Sequence, residues 1–130
     1  MLEIKPIQSK EIQKELAENS GTEFIPDAFA YSAYEGDKFL GMSQFTINEG
    51  YAYIINISYA DGTQDEEAMF IMGRAVLNFL DLCNVSVCKI SDTAATETLI
   101  RKIGFKKGDD GHFLPLTITG MFDAKCHPNK

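Results

Sequence analysis

The side chains of this chain able to do chemistry fall in a few places. "DGTQDEEAMF" (61–70) sets Asp61, Asp65, Glu66 and Glu67 at the start of an amphipathic stretch. The amino end of a helix presents free N–H groups with partial positive charge, which makes it a natural seat for an anion. Acids placed there cap the helix themselves and repel a phosphate. Cys126 and His127 are adjacent near the end of the chain. A thiolate nucleophile needs a base at its side, and neighbours in a loose tail rarely meet that way, so an inert thiol is expected. Zinc ligation by Cys83, Cys88, Cys126 and His127 fails on spacing, because C-x4-C here runs from a helix end into a strand. No metal site is expected.

His112 begins an extended run beside the acidic "GDD" turn and reads as a surface imidazole. Glu35, Asp37 and Glu49 lie in hairpin turns, where water solvates them. Glu49 directly precedes the run 51–59 and is kept as the candidate general base. That role needs a water or an amine within hydrogen-bond reach.

These residues must be positioned by regular elements. "LEIKPI" (2–7) alternates like a half-buried strand. Ser9 is an N-cap for the helix that follows, with Ile12 and Leu16 on one face. "AFAYSAY" (28–34), "FLGMSQFTI" (39–47) and "YAYIINISY" (51–59) are separated by the turns "EGDK" and "NEG", which makes a three-strand meander. Thr63 and Glu66 fit a capping box, so a helix is expected from about Gln64, with Ala68, Met72, Ala75, Val76 and Phe79 as its apolar stripe. "VSVCKIS" (85–91) is a strand, Asp92 or Thr93 caps a helix through Lys102, and Gly104 ends it. "HFLPLTITGMF" (112–122) is expected to be a last long strand, with Pro115 at an unpaired side or a bulge.

The chain of 130 residues fits one domain over 1–130. Its net charge of −7 opposes nucleic acid and anionic membranes, which both call for clustered Lys and Arg. No apolar run approaches the roughly 20 residues of a bilayer span. Three cysteines at irregular spacing make no disulfide framework, so a cytoplasmic location is expected.

The order of elements, with "LIRKIGFKK" (99–107) matching a helix-to-strand segment x-K-x-G-F, resembles the GNAT family of acyl-CoA-dependent N-acetyltransferases. The resemblance implies an α+β fold: a mixed, largely antiparallel sheet with a splayed central strand pair and flanking helices. It implies that Ile57, Ser58 and Tyr59 pair with the pantetheine arm of acetyl-CoA in the splay. A strand N–H near Ile57 or Ser58 would polarise the thioester carbonyl while a small amine attacks it.

The family's diphosphate loop reads Q/R-x-x-G-x-G/A. Here Gln64 matches, Glu67 replaces the first glycine, Ala68 follows, and Met69 replaces the second small residue. Like charges at ~4 Å repel by about 1 kcal/mol in water and roughly 4 kcal/mol at an effective dielectric near 20. Several such pairs are expected to cancel the ~0.3–1 kcal/mol a helix dipole supplies. The family's N-x-x-A-x-x-x-Y places Thr93, Thr96 and Ile100, and isoleucine cannot act as the general acid. Two readings follow: an acetyltransferase-like protein with a degenerate acyl-CoA site, or a non-catalytic binding module, expected as a homodimer.

Overall fold

A computed structural model describes residues 1–122. In chain order these form β1 (Leu2–Pro6), α1 (Lys10–Asn19), β2 (Phe29–Glu35), β3 (Lys38–Asn48), β4 (Tyr51–Tyr59), α2 (Glu66–Leu82), β5 (Val87–Ile90), α3 (Glu97–Ile103) and β6 (Leu116–Thr117). The six strands lie side by side in that same order. Every neighbouring pair is antiparallel except β4 and β5. The exception follows from connectivity, because α2 carries the chain back along the sheet before β5 begins. Gly36 and Gly50, both at positive φ, make the two tight turns of the β2–β3–β4 meander.

The main core lies between the sheet and α2 with α3. Phe45, Ile54, Met69, Met72, Leu77, Leu80, Ile100, Ile103 and Phe105 are fully buried there. Gly41 lets α2 come close, since a Cβ at that position would stand 2.4 Å from the Ser58 carbonyl oxygen and 2.5 Å from Met69 Sδ.

The opposite face holds a smaller apolar group, Ala17, Ala30 and Met42, beneath α1. Ser9 caps α1 by accepting the Ile12 N–H at 3.3 Å, as its residue type implies. The buried stripe differs from expectation: Gln13 and Ala17 face inward, while Ile12 is 49% exposed. The reason is a buried polar network. Gln44 Oε1 accepts from Gln13 Nε2 (3.0 Å) and the Ile25 N–H (2.9 Å). Its Nε2 donates to the Glu23 carbonyl (2.8 Å) and to Asn56 Oδ1 (3.0 Å). All four hydrogen-bonding positions of the Gln44 amide are filled, which is what burying it demands.

Three element boundaries are corrected. Helix α2 is capped by Asp65, not by a Thr63–Glu66 box, because the Thr63 hydroxyl turns to the Leu40 and Ala60 carbonyls. Helix α3 starts after Thr96, whose hydroxyl accepts the Leu99 N–H, so Asp92 and Thr93 lie in the loop before it. The last strand shrinks to Leu116–Thr117 plus one bridge between Lys107 and Phe113. Pro115, with no N–H to give, separates the two. Cys126 and His127 lie outside the described residues.

Candidate functional site

The central strand pair parts in mid-sheet. Strands β4 and β5 pair only over Ala52–Ile54 against Cys88–Ile90. The β3–β4 register then shifts at Gln44/Phe45, leaving Ile55 as an extra residue on β4, and such a bulge bends the strand that carries it. Beyond it Ile57, Ser58 and Tyr59 stay on β3, opposite Ser43, Met42 and Gly41. The chain after β5 turns across the opening instead of extending it.

That turn fills the opening with main chain. The Ser91 N–H donates to the Ile54 carbonyl (3.0 Å), and the Ala94 N–H closes back on the Ser91 carbonyl (3.0 Å). The Ile57 N–H then donates to the Ala94 carbonyl at 2.8 Å. Ile57 and Ala94 are only 3% and 4% exposed. The expectation that Ile57 offers a free N–H to a cofactor or a thioester oxygen is therefore corrected, since a carbonyl of the same chain already takes it.

Ser58 points to the α1 side, where its hydroxyl accepts Asn56 Nδ2 at 2.9 Å. Tyr59 ends β4, half-buried. Its phenol is pushed above the ordinary tyrosine range first by burial, then by the nearby Glu66 and Asp65 carboxylates.

The amino end of α2 lies next along the chain. The Asp65 carboxylate accepts the Ala68 N–H at 3.0 Å, so one of the end's donors is already bound to an anion. Gln64 and Glu67 are exposed. Ala68 and Met69 are buried against the sheet, which removes both side chains from any contact with a diphosphate. None of Asp61, Asp65, Glu66 and Glu67 forms an ion pair among the described residues.

Thr93 is exposed, its hydroxyl 3.1 Å from that of Ser91. Ile100, at the place of a general-acid tyrosine, is fully buried. Glu49 stands in the β3–β4 turn just before Tyr51, the far end of β4, which lies roughly 20 Å from Ile57 at ~3.3 Å per residue, beyond hydrogen-bond reach of the opening. Among the described residues no three His, Cys, Asp or Glu side chains gather as a metal site. Cys88 is buried, and loss of hydration pushes its thiol up to about 12.

Two features escape the sequence reading. The Asp92 carboxylate bonds the His112 ring at Nδ1 and accepts the Phe113 N–H at 3.1 Å, tying the turn across the opening to the 108–113 segment. The His112 bond holds Asp92 below its usual range, and Asp92 in return raises His112. Twenty positions separate the two, and no local pattern marks them as partners. The Gln13–Gln44–Asn56 network did leave a signal, since Gln44 and Asn56 interrupt otherwise apolar strands.

An α+β sheet whose parallel pair separates at a bulge, with α2 and α3 packed on one face and α1 on the other, is the fold of GNAT acetyltransferases. Solved structures agree. The ribosomal-protein-S18-alanine N-acetyltransferase of Escherichia coli superposes with a TM-score of 0.68 at 12% identity, covering 92% of this chain and 95% of its own. A GNAT-family acetyltransferase from Streptococcus pneumoniae gives 0.62 at 16% identity, covering 82% and 89%. An acetyltransferase of Bacillus subtilis, solved in complex with CoA, gives 0.64 at 14% identity, covering 83% and 78%. No family model and no curated protein matches the chain.

Proposed function

We propose that this chain is an acetyltransferase-like protein whose acyl-CoA site is degenerate. The single observation that carries the reading is the 2.8 Å hydrogen bond from the Ile57 N–H to the Ala94 carbonyl, inside the opening where a pantetheine arm would run. The carboxylates at the start of α2 and the buried Ile100 support it. The residues present do not fit acetyl-CoA: the strand amide is taken, the diphosphate seat is anionic, and the place of the general acid holds the buried Ile100. Neighbours of this fold are named as acetyltransferases, and transfer to a small amine here would first require the 91–94 turn to leave Ile57. The free thiols of Cys83 and Cys88 support a cytoplasmic setting. Calorimetric titration with acetyl-CoA is the test. Silence at millimolar cofactor is expected, and micromolar binding would overturn the degenerate site.

A second reading, a binding module without turnover, is favoured by a large aromatic-walled cleft at the other end of α2. Self-association as a homodimer belongs to this reading and is checked by light scattering.

A further inference from the structure

The cleft lies where the ends of β1 and β2 meet the carboxyl-terminal half of α2, with a volume of about 620 Å³. That size falls within the ~300–1,000 Å³ usual for small-molecule sites. The β4–β5 opening lies at the other end of the sheet, beside the amino end of α2. We infer that the cleft is a binding site for a small planar aromatic anion, walled by Phe29, Tyr31 and Phe79 and given its charge preference by Lys10.

The walls are aromatic and already arranged. Phe29 is 49% exposed yet fixed, with its ring stacked on Phe45 at 5.9 Å and tilted against Phe79 at 6.3 Å. Tyr31 stands 5.8 Å from Phe79. A half-bare phenylalanine held by its neighbours offers a face or an edge to a flat ring without rearrangement, and aromatic pairs favour such offset or tilted contacts. Preorganisation of this kind lowers the entropy lost on binding.

The polar lining sets the sign of the ligand. No Asp or Glu lines the cleft, and Lys10 is its one charged lining residue, in a chain of net charge −7. The Lys10 ammonium donates to the Ala28 carbonyl (2.6 Å) and to Gln13 Oε1 (3.0 Å). Both acceptors are neutral, so the charge is positioned and not neutralised, and one of three N–H donors remains. Gln8 and Tyr31 also line the cleft, and neither side chain has a hydrogen-bond partner among the described residues. An apolar body with one carboxylate satisfies every part of this surface.

The inference stands apart from the acyl-CoA reading and is tested without CoA. Amide resonances of the full chain are followed by NMR during titration with 2-naphthoate and, separately, with neutral 2-naphthylmethanol. Shifts confined to residues 6–10, 29–31 and around 79 are expected, with the acid at least tenfold tighter than the alcohol. Lys10→Met should abolish that preference and leave the alcohol's affinity unchanged. Phe29→Ser should weaken both ligands tenfold or more. The two variants change different walls, so one remains informative if the other does not fold. No shift at millimolar 2-naphthoate, equal affinity for acid and alcohol, or unchanged binding by Phe29→Ser each overturns the site. Shifts at these residues that follow protein concentration without ligand overturn it too, in favour of a second copy of the chain.

Discussion

The amide of Ile57 and the carbonyl of Ala94 meet at 2.8 Å across the point where β4 and β5 part. Two main-chain groups that would otherwise face an open groove thereby satisfy each other, in a spot where both residues are almost wholly buried. A buried amide with a good acceptor exchanges its hydrogen only when the segment opens. The Ile57 amide should therefore exchange as slowly as those of the β3–β4 ladder, and acetyl-CoA should leave it unchanged. Exchange at the rate of an exposed loop would show that the 91–94 turn does not hold the opening shut.

The acids at the start of α2 predict a gain of binding on removal. Asp65→Ser keeps a capping oxygen for the Ala68 N–H and deletes one charge, and Glu67→Gly deletes a second at an exposed position. A like charge at contact distance is worth about 1 kcal/mol in water, roughly a fivefold change in affinity. The double variant should bind CoA, which carries the diphosphate, measurably tighter than the parent by calorimetry. Met69 is left alone, because its side chain is buried beneath Gly41 and removing it would open a cavity. Unchanged affinity in the double variant would mean that the diphosphate seat lies elsewhere.

The Asp92–His112 pair predicts a pH window. Its hydrogen bond raises His112 above the ordinary 6.5, so the imidazole's contribution to stability is full below 6.5 and fades as pH rises through the folded value. Asp92 lies below the ordinary 3.8, so its contribution is full above 3.8 and fades as pH falls through the folded value. The bond is therefore strongest from about pH 4 to 6.5. NMR titration should place His112 above its ordinary value in the parent and lower it toward that value in Asp92→Asn, where only the Asp110 carboxylate still raises it. The same variant should lower Tm at pH 5.5 and have little effect at pH 9. Identical His112 titrations in the two proteins would remove the pair.

Much of this architecture was legible because the side chains carry it. Strand β4 runs from Tyr51 to Tyr59 as read, a stretch rich in isoleucine and tyrosine that follows the turn "NEG". Gly104 ends α3 as read, and Phe105 after it is buried in the core. What stayed hidden is carried by main chain or by distance. Any residue type at 94 presents a carbonyl, so the plug at Ile57 has no sequence mark. The Asp92–His112 bond joins segments that only the fold brings together. The overlong last strand came from weighing the apolar pattern above Pro115, whose missing N–H breaks the ladder in two. Helical spacing alone puts Ile12 with Leu16 on one apolar face, whereas the demand of Gln44 for a donor turns Gln13 inward instead.

The Gln44 network predicts a large effect from a change of similar size and shape. Gln44→Leu leaves the Ile25 N–H, the Glu23 carbonyl and Asn56 Oδ1 without the partners that Gln44 supplies. An orphaned buried group costs about 1–3 kcal/mol, so a total loss near 3 kcal/mol or more is expected from urea unfolding. A loss below about 1 kcal/mol would mean that water replaces the amide.

The close approach of α2 to the sheet orders two glycine substitutions. In Gly41→Ala the new Cβ meets the Ser58 carbonyl oxygen at 2.4 Å, and that atom belongs to the backbone of a central strand. Met69 Sδ, at 2.5 Å, is boxed in by the same core. In Gly73→Ala the nearest atom is Ile103 Cδ1 at 2.5 Å, the tip of a side chain that can change rotamer. Neither glycine has positive φ, so packing alone separates them. Overpacking of this kind typically costs about 1–3 kcal/mol. Gly41→Ala belongs at the top of that range or above it. Gly73→Ala belongs near the bottom, helped by alanine's better helix propensity. Thermal unfolding should rank the parent first, Gly73→Ala second and Gly41→Ala last. The reverse order of the two variants would show that α2 does not sit on the sheet at Gly41.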